Sequence, residues 1–272
     1  MKRIFLSALA VLAAWACTRT AVPAPAVLQA SLEEMEAGDT RSNVSDHGSF
    51  IWNDWDQVSV LTSQGQFVDF QLSSGAGTKT ATFSGSLPEG ASLGDVLVYP
   101  EGSHSVSGST LYVHYPDTYT YPADTTDSRP VMVAALSGNS AAFKHVGGLM
   151  RIRYKNVPMK ATHMVITFHK QVVTGDFPVD LSQDEPVAAM TDGTSQVVIH
   201  FTSPDTPTNT RHFYLPLPTG TLTDMDLEFR DGNDALIPGT LYSSHSVKTV
   251  TRKRLLRMPG LVLTVINAGI DN

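Results

Sequence analysis

Residues 225–234 read Met-Asp-Leu-Glu-Phe-Arg-Asp-Gly-Asn-Asp. Apolar Met225, Leu227 and Phe229 alternate with charged Asp226, Glu228 and Arg230, and Asp231-Gly232 follows at once. Successive side chains of a strand point to opposite faces, so a two-residue period gives one apolar face and one wet one. Asp-Gly accommodates the positive φ that a tight hairpin turn requires. The stretch therefore predicts a half-buried β-strand closed by a turn.

The same period recurs in Val58 with Val60, Val68/Phe70/Leu72, Ala81/Phe83, Leu97/Tyr99, Leu111/Val113/Tyr115 and Val131/Val133, with Gly, Pro, Asn, Asp and Ser between the runs. Many short strands with turn signals between them predict an all-β sandwich or barrel. Sustained helical periodicity is scarce. Residues 246–258, SVKTVTRKRLLRM, could form a helix stopped by Pro259-Gly260, and a loop or strand edge is an equal alternative. Leu28, Ala30 and Leu32 alternate with Gln29 and Ser31 as a short strand would, although SLEEME in the same place could open a helix. Loop composition at Ser137-Gly138-Asn139-Ser140 suggests a domain boundary there, giving units 41–137 and 138–272.

The N-terminus has the order of a secretory signal over residues 1–16. Lys2 and Arg3 form the positive region, Ile4 to Leu12 the apolar region, and Ala14-Trp15-Ala16 a small-residue cleavage site before Cys17. The apolar run is shorter than the ~20 residues that span a bilayer, and no second run of that length follows. Cys17 is the single cysteine of the 272 residues, so no intrachain disulfide can form. Cleavage between Ala16 and Cys17 would leave Cys17 as the first mature residue, where lipid attachment gives a lone exported thiol a purpose. Residues 17–40 then read as a linker, stiffened by Pro23 and Pro25 and carrying Glu33, Glu34 and Glu36.

A formal charge of −7 and a pI near 5.6 argue against a nucleic-acid surface, which needs a basic face. Catalytic signatures are missing: there is no Gly-x-Ser-x-Gly, no phosphate-binding loop and no His-Glu-x-x-His. No catalytic residue, cofactor or metal ligand is assigned. His163 and His169, six residues apart on one predicted strand, would stand ~20 Å from each other and could not share an ion. The acidic runs at Asn53–Asp56 and Asp231–Asp234 lack the full calcium loop and are read as turns. Trp52 and Trp55 both read as core, because apolar Val58 and Val60 follow directly; exposed, either could stack on a sugar ring or anchor a partner. Trp55, with Tyr112, Tyr119 and Tyr121, is a candidate contact for a glycan. Lys248, Arg252, Lys253, Arg254 and Arg257 form the one basic cluster, read as a solvated edge that deters strand association. Arg41, before Ser42 in a polar stretch, is a candidate for proteolytic nicking. The run 261–266, with Leu261, Leu263 and Val265 on one face, is a β-prone segment of the sort that adds to another sheet.

The lipobox-like end at Cys17, the Arg41 segment and Trp52-Asn53-Asp54-Trp55-Asp56-Gln57-Val58-Ser59-Val60 together resemble the fimbrillin family of the Bacteroidales, subunits of type V pili. The last run is similar to the family's Trp-x-x-Gly-Asp-x-Ile-x-Val strand, with Trp55 where glycine is common. Phe143-Lys144-His145, then Leu149-Met150-Arg151-Ile152, resembles its second-domain start, and Phe213-Tyr214-Leu215-Pro216-Leu217-Pro218 its late strand. The resemblance implies two tandem transthyretin-like β-sandwich domains, a lipoprotein acylated (palmitate) at Cys17, and presentation at the outer membrane and in a surface fimbria. It also implies an arginine-specific protease cutting after Arg41, removal of the strand around Leu28, Ala30 and Leu32, and β-strand addition between pilus subunits. Partners would be other subunits, that protease, and a host glycan or protein receptor, with membrane contact only through the lipid and no nucleic acid. A surface glycan-binding lipoprotein that does not polymerise is the alternative.

Overall fold

A computed structural model describes residues 24–36, 50–108, 110–121, 129–203, 210–258 and 261–262. The described residues contain strands and no helix, and none forms a helix long and apolar enough to cross a membrane. The first strands are β1 (Ala24–Leu32), β2 (Gln57–Thr62), β3 (Phe67–Ser74), β4 (Thr80–Leu87), β5 (Leu93–Tyr99), β6 (Ser105–Ser107), β7 (Thr110–Tyr115), β8 (Thr118–Tyr121), β9 (Met132–Ser137) and β10 (Ser140–His145). There follow β11 (Gly148–Lys155), β12 (Ala161–Phe168), β13 (Gln171–Val172), β14 (Gly175–Val179), β15 (Thr191–Asp192), β16 (Ser195–Phe201) and β17 (Thr210–Leu217). The last are β18 (Gly220–Leu222), β19 (Met225–Asp231), β20 (Tyr242–Ser244), β21 (Lys248–Val250), β22 (Leu255–Arg257) and β23 (Leu261–Val262).

The alternating runs of the first half close on themselves. Strand order β1-β10-β9-β5-β2-β3-β4 makes a barrel whose seam is the pairing of β4 back to β1. Its interior holds Leu28, Ala30, Trp52, Val58, Val60, Phe70, Phe83, Leu97, Tyr99, Met132 and Phe143. Trp52 is its aromatic centre, with Phe83, Tyr99 and Phe143 set edge-on at 4.9, 5.2 and 5.6 Å, the arrangement that ring quadrupoles favour. Asn53–Asp56 is indeed a turn. The Asn53 amide donates to Asp56 Oδ2 at 2.8 Å, and Asp56 Oδ1 accepts from the buried Tyr99 hydroxyl at 2.9 Å.

The second half builds a sandwich. A sheet β17-β11-β22, to which β23 adds beside β11, faces a sheet β20-β19-β12-β16-β8. Met150, Ile152, Tyr154, Met164, Ile166, Phe168, Ile199, Phe213, Leu215, Leu227 and Phe229 fill the space between them. The alternation at 225–230 holds, with Met225, Leu227 and Phe229 inward and Asp231 turning the chain through bonds from the amides of Asn233 and Ala235. A third cluster, with Val98, Val133, Val113, Tyr115, Phe177 and Val179, joins the outer face of β5 and β9 to the sheet β14-β7-β6. That is why Val131, Met132, Val133 and Ala134 are all buried, one set facing into the barrel and the other toward β7 and β14.

One sequence expectation changes, and one open alternative resolves to its strand reading. Ser137–Ser140 is a hairpin turn within the barrel, not a boundary: β9 and β10 pair across it, Ser137 opposite Ser140, with Gly138 at φ +61°. Polar residues and a left-handed glycine serve a tight turn as well as a linker, so composition does not separate the two. In addition β8, before that point, pairs parallel with β16 beyond it, Val198 opposite Thr118. Residues 246–258 form β21, a turn and β22 rather than a helix.

Candidate functional site

Period-two alternation places Leu28 and Ala30 inward and fully buried, Leu32 half-buried and Gln29 outward. The N-terminal segment is thus a strand, and it closes the barrel. β1 runs antiparallel to β4 from Ala24 opposite Leu87 to Ser31 opposite Thr80, and parallel to β10 from Gln29 opposite Ser140 to Leu32 opposite Phe143. Burying the Leu28 side chain stabilises the assembly by about 1.5–3 kcal/mol. Around Ala30 the side chains are small. An open cavity of about 660 Å³ is lined there by Ala30, Ala81, Ala135, Ala141, Thr80 and Ser137 among others. At that end the strand is held chiefly by backbone bonds, such as Gln29 N–H to Asn139 O at 2.7 Å and Leu32 N–H to Lys79 O at 3.0 Å.

Beyond β1 the chain continues along β10 for one bond, Glu33 N–H to Phe143 O at 3.0 Å, and then crosses to the 252–254 turn, where Glu36 N–H reaches Lys253 O at 2.7 Å. Carboxylates lead the way. Glu33 accepts two bonds from Arg252 Nη2, at 2.9 Å on Oε1 and 2.7 Å on Oε2, and a third from the His145 amide at 2.9 Å. Glu36 meets Lys253 Nζ at 3.1 Å and Arg254 Nε at 2.9 Å, and these two cations hold its carboxyl below the usual range. Glu34 is paired with Lys79, whose ammonium likewise lowers its carboxyl.

Arg252 is therefore not part of a solvated edge. Its side chain is only 7% exposed. Apart from Glu33, its guanidinium donates to Pro186 O at 3.2 Å and stands 3.6 Å from the exposed Glu185. A buried guanidinium keeps its charge and is tolerated only with such partners. His145 lies against this cluster, 1% exposed, with neither ring nitrogen hydrogen-bonded among the described residues. Burial pushes its imidazole down to about 4, against the opposing pull of Glu33. The turn approaches closely because Gly148 is bare: a Cβ there would meet Thr251 O at 2.6 Å and Val250 Cγ1 at 2.7 Å.

Of the residues singled out by sequence, Leu28, Ala30 and Leu32 come together in this slot. Leu261 pairs instead through its backbone with Tyr154 of β11. Ala16, Cys17, Arg41, Ser42, Leu263 and Val265 lie outside the described residues. Trp52 is core, as expected, whereas Trp55 is 56% exposed, against the core reading; Ile51 is 44% exposed. His163 and His169 have separate carboxylate partners, Asp234 at 3.0 Å and Asp226 at 2.8 Å. Among the described residues no group of three His, Cys, Asp or Glu side chains is placed to hold a metal. Glu33, His145 and Arg252 escaped the sequence reading as a site. The available signal was the pair of opposite charge runs at 33–36 and 252–254.

No protein-family model matches the chain, and no curated protein matches it. Solved structures similar to it include a provisionally assigned cell adhesion protein from Bacteroides ovatus, 12% identical, covering 90% of this chain and 95% of that one at a TM-score of 0.48. Another provisionally assigned cell adhesion protein, from Bacteroides fragilis, is 8% identical over 85% of this chain and 91% of its own, at 0.39. A fimbrial protein from Bacteroides ovatus is 10% identical over 89% of this chain and 50% of its own, at 0.35.

Proposed function

We propose that the chain is a structural or adhesive subunit of a cell-surface fimbria, of the fimbrillin type, without catalytic activity. Its two sheet systems would then be diverged versions of two tandem transthyretin-like sandwiches. It is exported as a lipoprotein held to the outer membrane by acyl chains on Cys17. An arginine-specific protease cuts after Arg41, β1 leaves its place between β4 and β10, and a strand from another subunit's C-terminal segment takes that place. The observation that carries this reading is the seat of β1: a peripheral N-terminal segment supplies the strand that keeps two sheet edges from lying open. Repeated head-to-tail without ring closure, such an exchange makes a filament. Incubation of the purified precursor with an arginine-specific protease is expected to trim it after Arg41 and yield SDS-resistant polymers. Polymerisation of an Arg41→Ala chain at the same rate would refute the cleavage step.

The exposure of the large aromatic Trp55 supports a second reading, a surface lipoprotein that binds a host glycan or protein receptor through this side chain. Glycan-array binding that is lost in Trp55→Ala, from protein that forms no polymer after trimming, would favour it over the first.

A further inference from the structure

We propose that Arg252 is a carboxylate receptor that sets the register of whichever strand lies in the β1 slot, so that a strand from a second copy of this chain seats through Asp271. This rests on the strand-exchange reading above. The slot's apolar positions do not fix register by themselves. Ala26, Leu28, Ala30 and Leu32 repeat every second residue, and a slip of two residues would keep the apolar face inward. What a slip cannot keep is the carboxylate at the end of the strand. Glu33 supplies Arg252 Nη2 with both of its carboxylate bonds and gives the His145 amide its acceptor. Once β1 is gone, the buried guanidinium retains the Pro186 carbonyl and, at 3.6 Å, the exposed Glu185. An incoming strand that brings an acid to the Glu33 position restores the pair; one that does not leaves a buried charge poorly compensated.

The chain carries a segment of that description. Residues 26–33 read Ala-Val-Leu-Gln-Ala-Ser-Leu-Glu, and residues 264–271 read Thr-Val-Ile-Asn-Ala-Gly-Ile-Asp. In this alignment Ile266, Ala268 and Ile270 fall where Leu28, Ala30 and Leu32 stand in β1, alanine again matched to alanine, and Asp271 falls on Glu33. The inward set is thus the even-numbered one, and Leu261–Val262 stays with β11. Asp271, one methylene shorter than Glu33, makes the same class of charge-assisted bond.

The test uses full chain trimmed by an arginine-specific protease, with Asp271→Asn, which leaves Arg252 and the slot unaltered, and Asp271→Glu. Loss of a charge-assisted bond should slow polymer formation roughly ten- to a hundredfold in Asp271→Asn, while Asp271→Glu keeps the parental rate. Register is read by cross-linking. Gln29 lies opposite Thr82, so Thr82→Cys should join Asn267→Cys between subunits, and Asp271→Asn should spread the link to Gly269→Cys. Parental polymerisation by Asp271→Asn with an unshifted cross-link overturns the receptor role and leaves strand exchange standing. A Thr82→Cys to Asn267→Cys link formed within a monomer overturns the second copy as source. Absence of polymer from the trimmed parent overturns the exchange itself and this inference with it.

Discussion

At the scale of single residues, the junction of β1 with the 252–254 turn is sensitive to acid. His145 is buried and neutral, its imidazole held down to about 4 by burial, while in the unfolded chain it titrates near its ordinary value of about 6.5. As pH falls the unfolded state takes the proton first. The stability present above pH ~6.5 is lost as pH falls through about 4, at most about 3 kcal/mol from this group. Urea denaturation at several pH values should show that slope in the parent and a flatter one in His145→Phe; equal slopes would remove His145 as the source. Glu33→Ala should cost about 1.5–3 kcal/mol by leaving Arg252 under-compensated. In a double-mutant cycle with Arg252→Met the two losses should fall well short of additive. Apolar Val58 and Val60 placed Trp52 in the core correctly, but the same argument placed Trp55 there too, and Trp55 is exposed. Arg252 was not legible as buried, because its partner lies 219 positions away and nothing local distinguishes a buried arginine from a solvated one.

At the scale of elements, side-chain parity was legible and pairing was not. Leu28 and Ala30 face inward as their alternation indicates, yet nothing in residues 24–32 says that β4 will lie on one side and β10 on the other. The composition of 137–140 fits a turn and a linker equally, and only the pairing of β9 with β10 decides between them. Gly148 illustrates a constraint that arises from contact alone. Gly148→Ala would drive a methyl into Thr251 O and the Val250 side chain, lifting the turn that carries Arg252. The expected loss is about 1–3 kcal/mol, read by thermal denaturation. The Glu33–Arg252 coupling should shrink in the same variant, whereas an alanine at Gly138, where a Cβ meets nothing within 4 Å, should leave that coupling intact.

For the whole molecule, the recurrent two-residue period and scarce helical signal made the all-β class readable. Barrel closure was hidden because it depends on contacts between distant parts of the chain, such as Ala30 with Ala81 and Ala141. In the intact chain the β1, β4 and β10 amides should exchange hydrogen with similar slowness. After cleavage and removal of β1, the facing edges of β4 and β10 should lose protection while β12 and β19 keep theirs; unchanged protection would mean that the barrel closes without β1. The flanking of β1 on both sides also decides how the molecule answers a pull. Tension along the strand loads the bonds from Ala24–Leu87 to Ser31–Thr80 and those to β10 in shear, all at once, whereas a peeling force would break them singly. On the proposed role as a precursor anchored at Cys17, drag on that anchor would thus be resisted where the backbone withstands sliding most strongly.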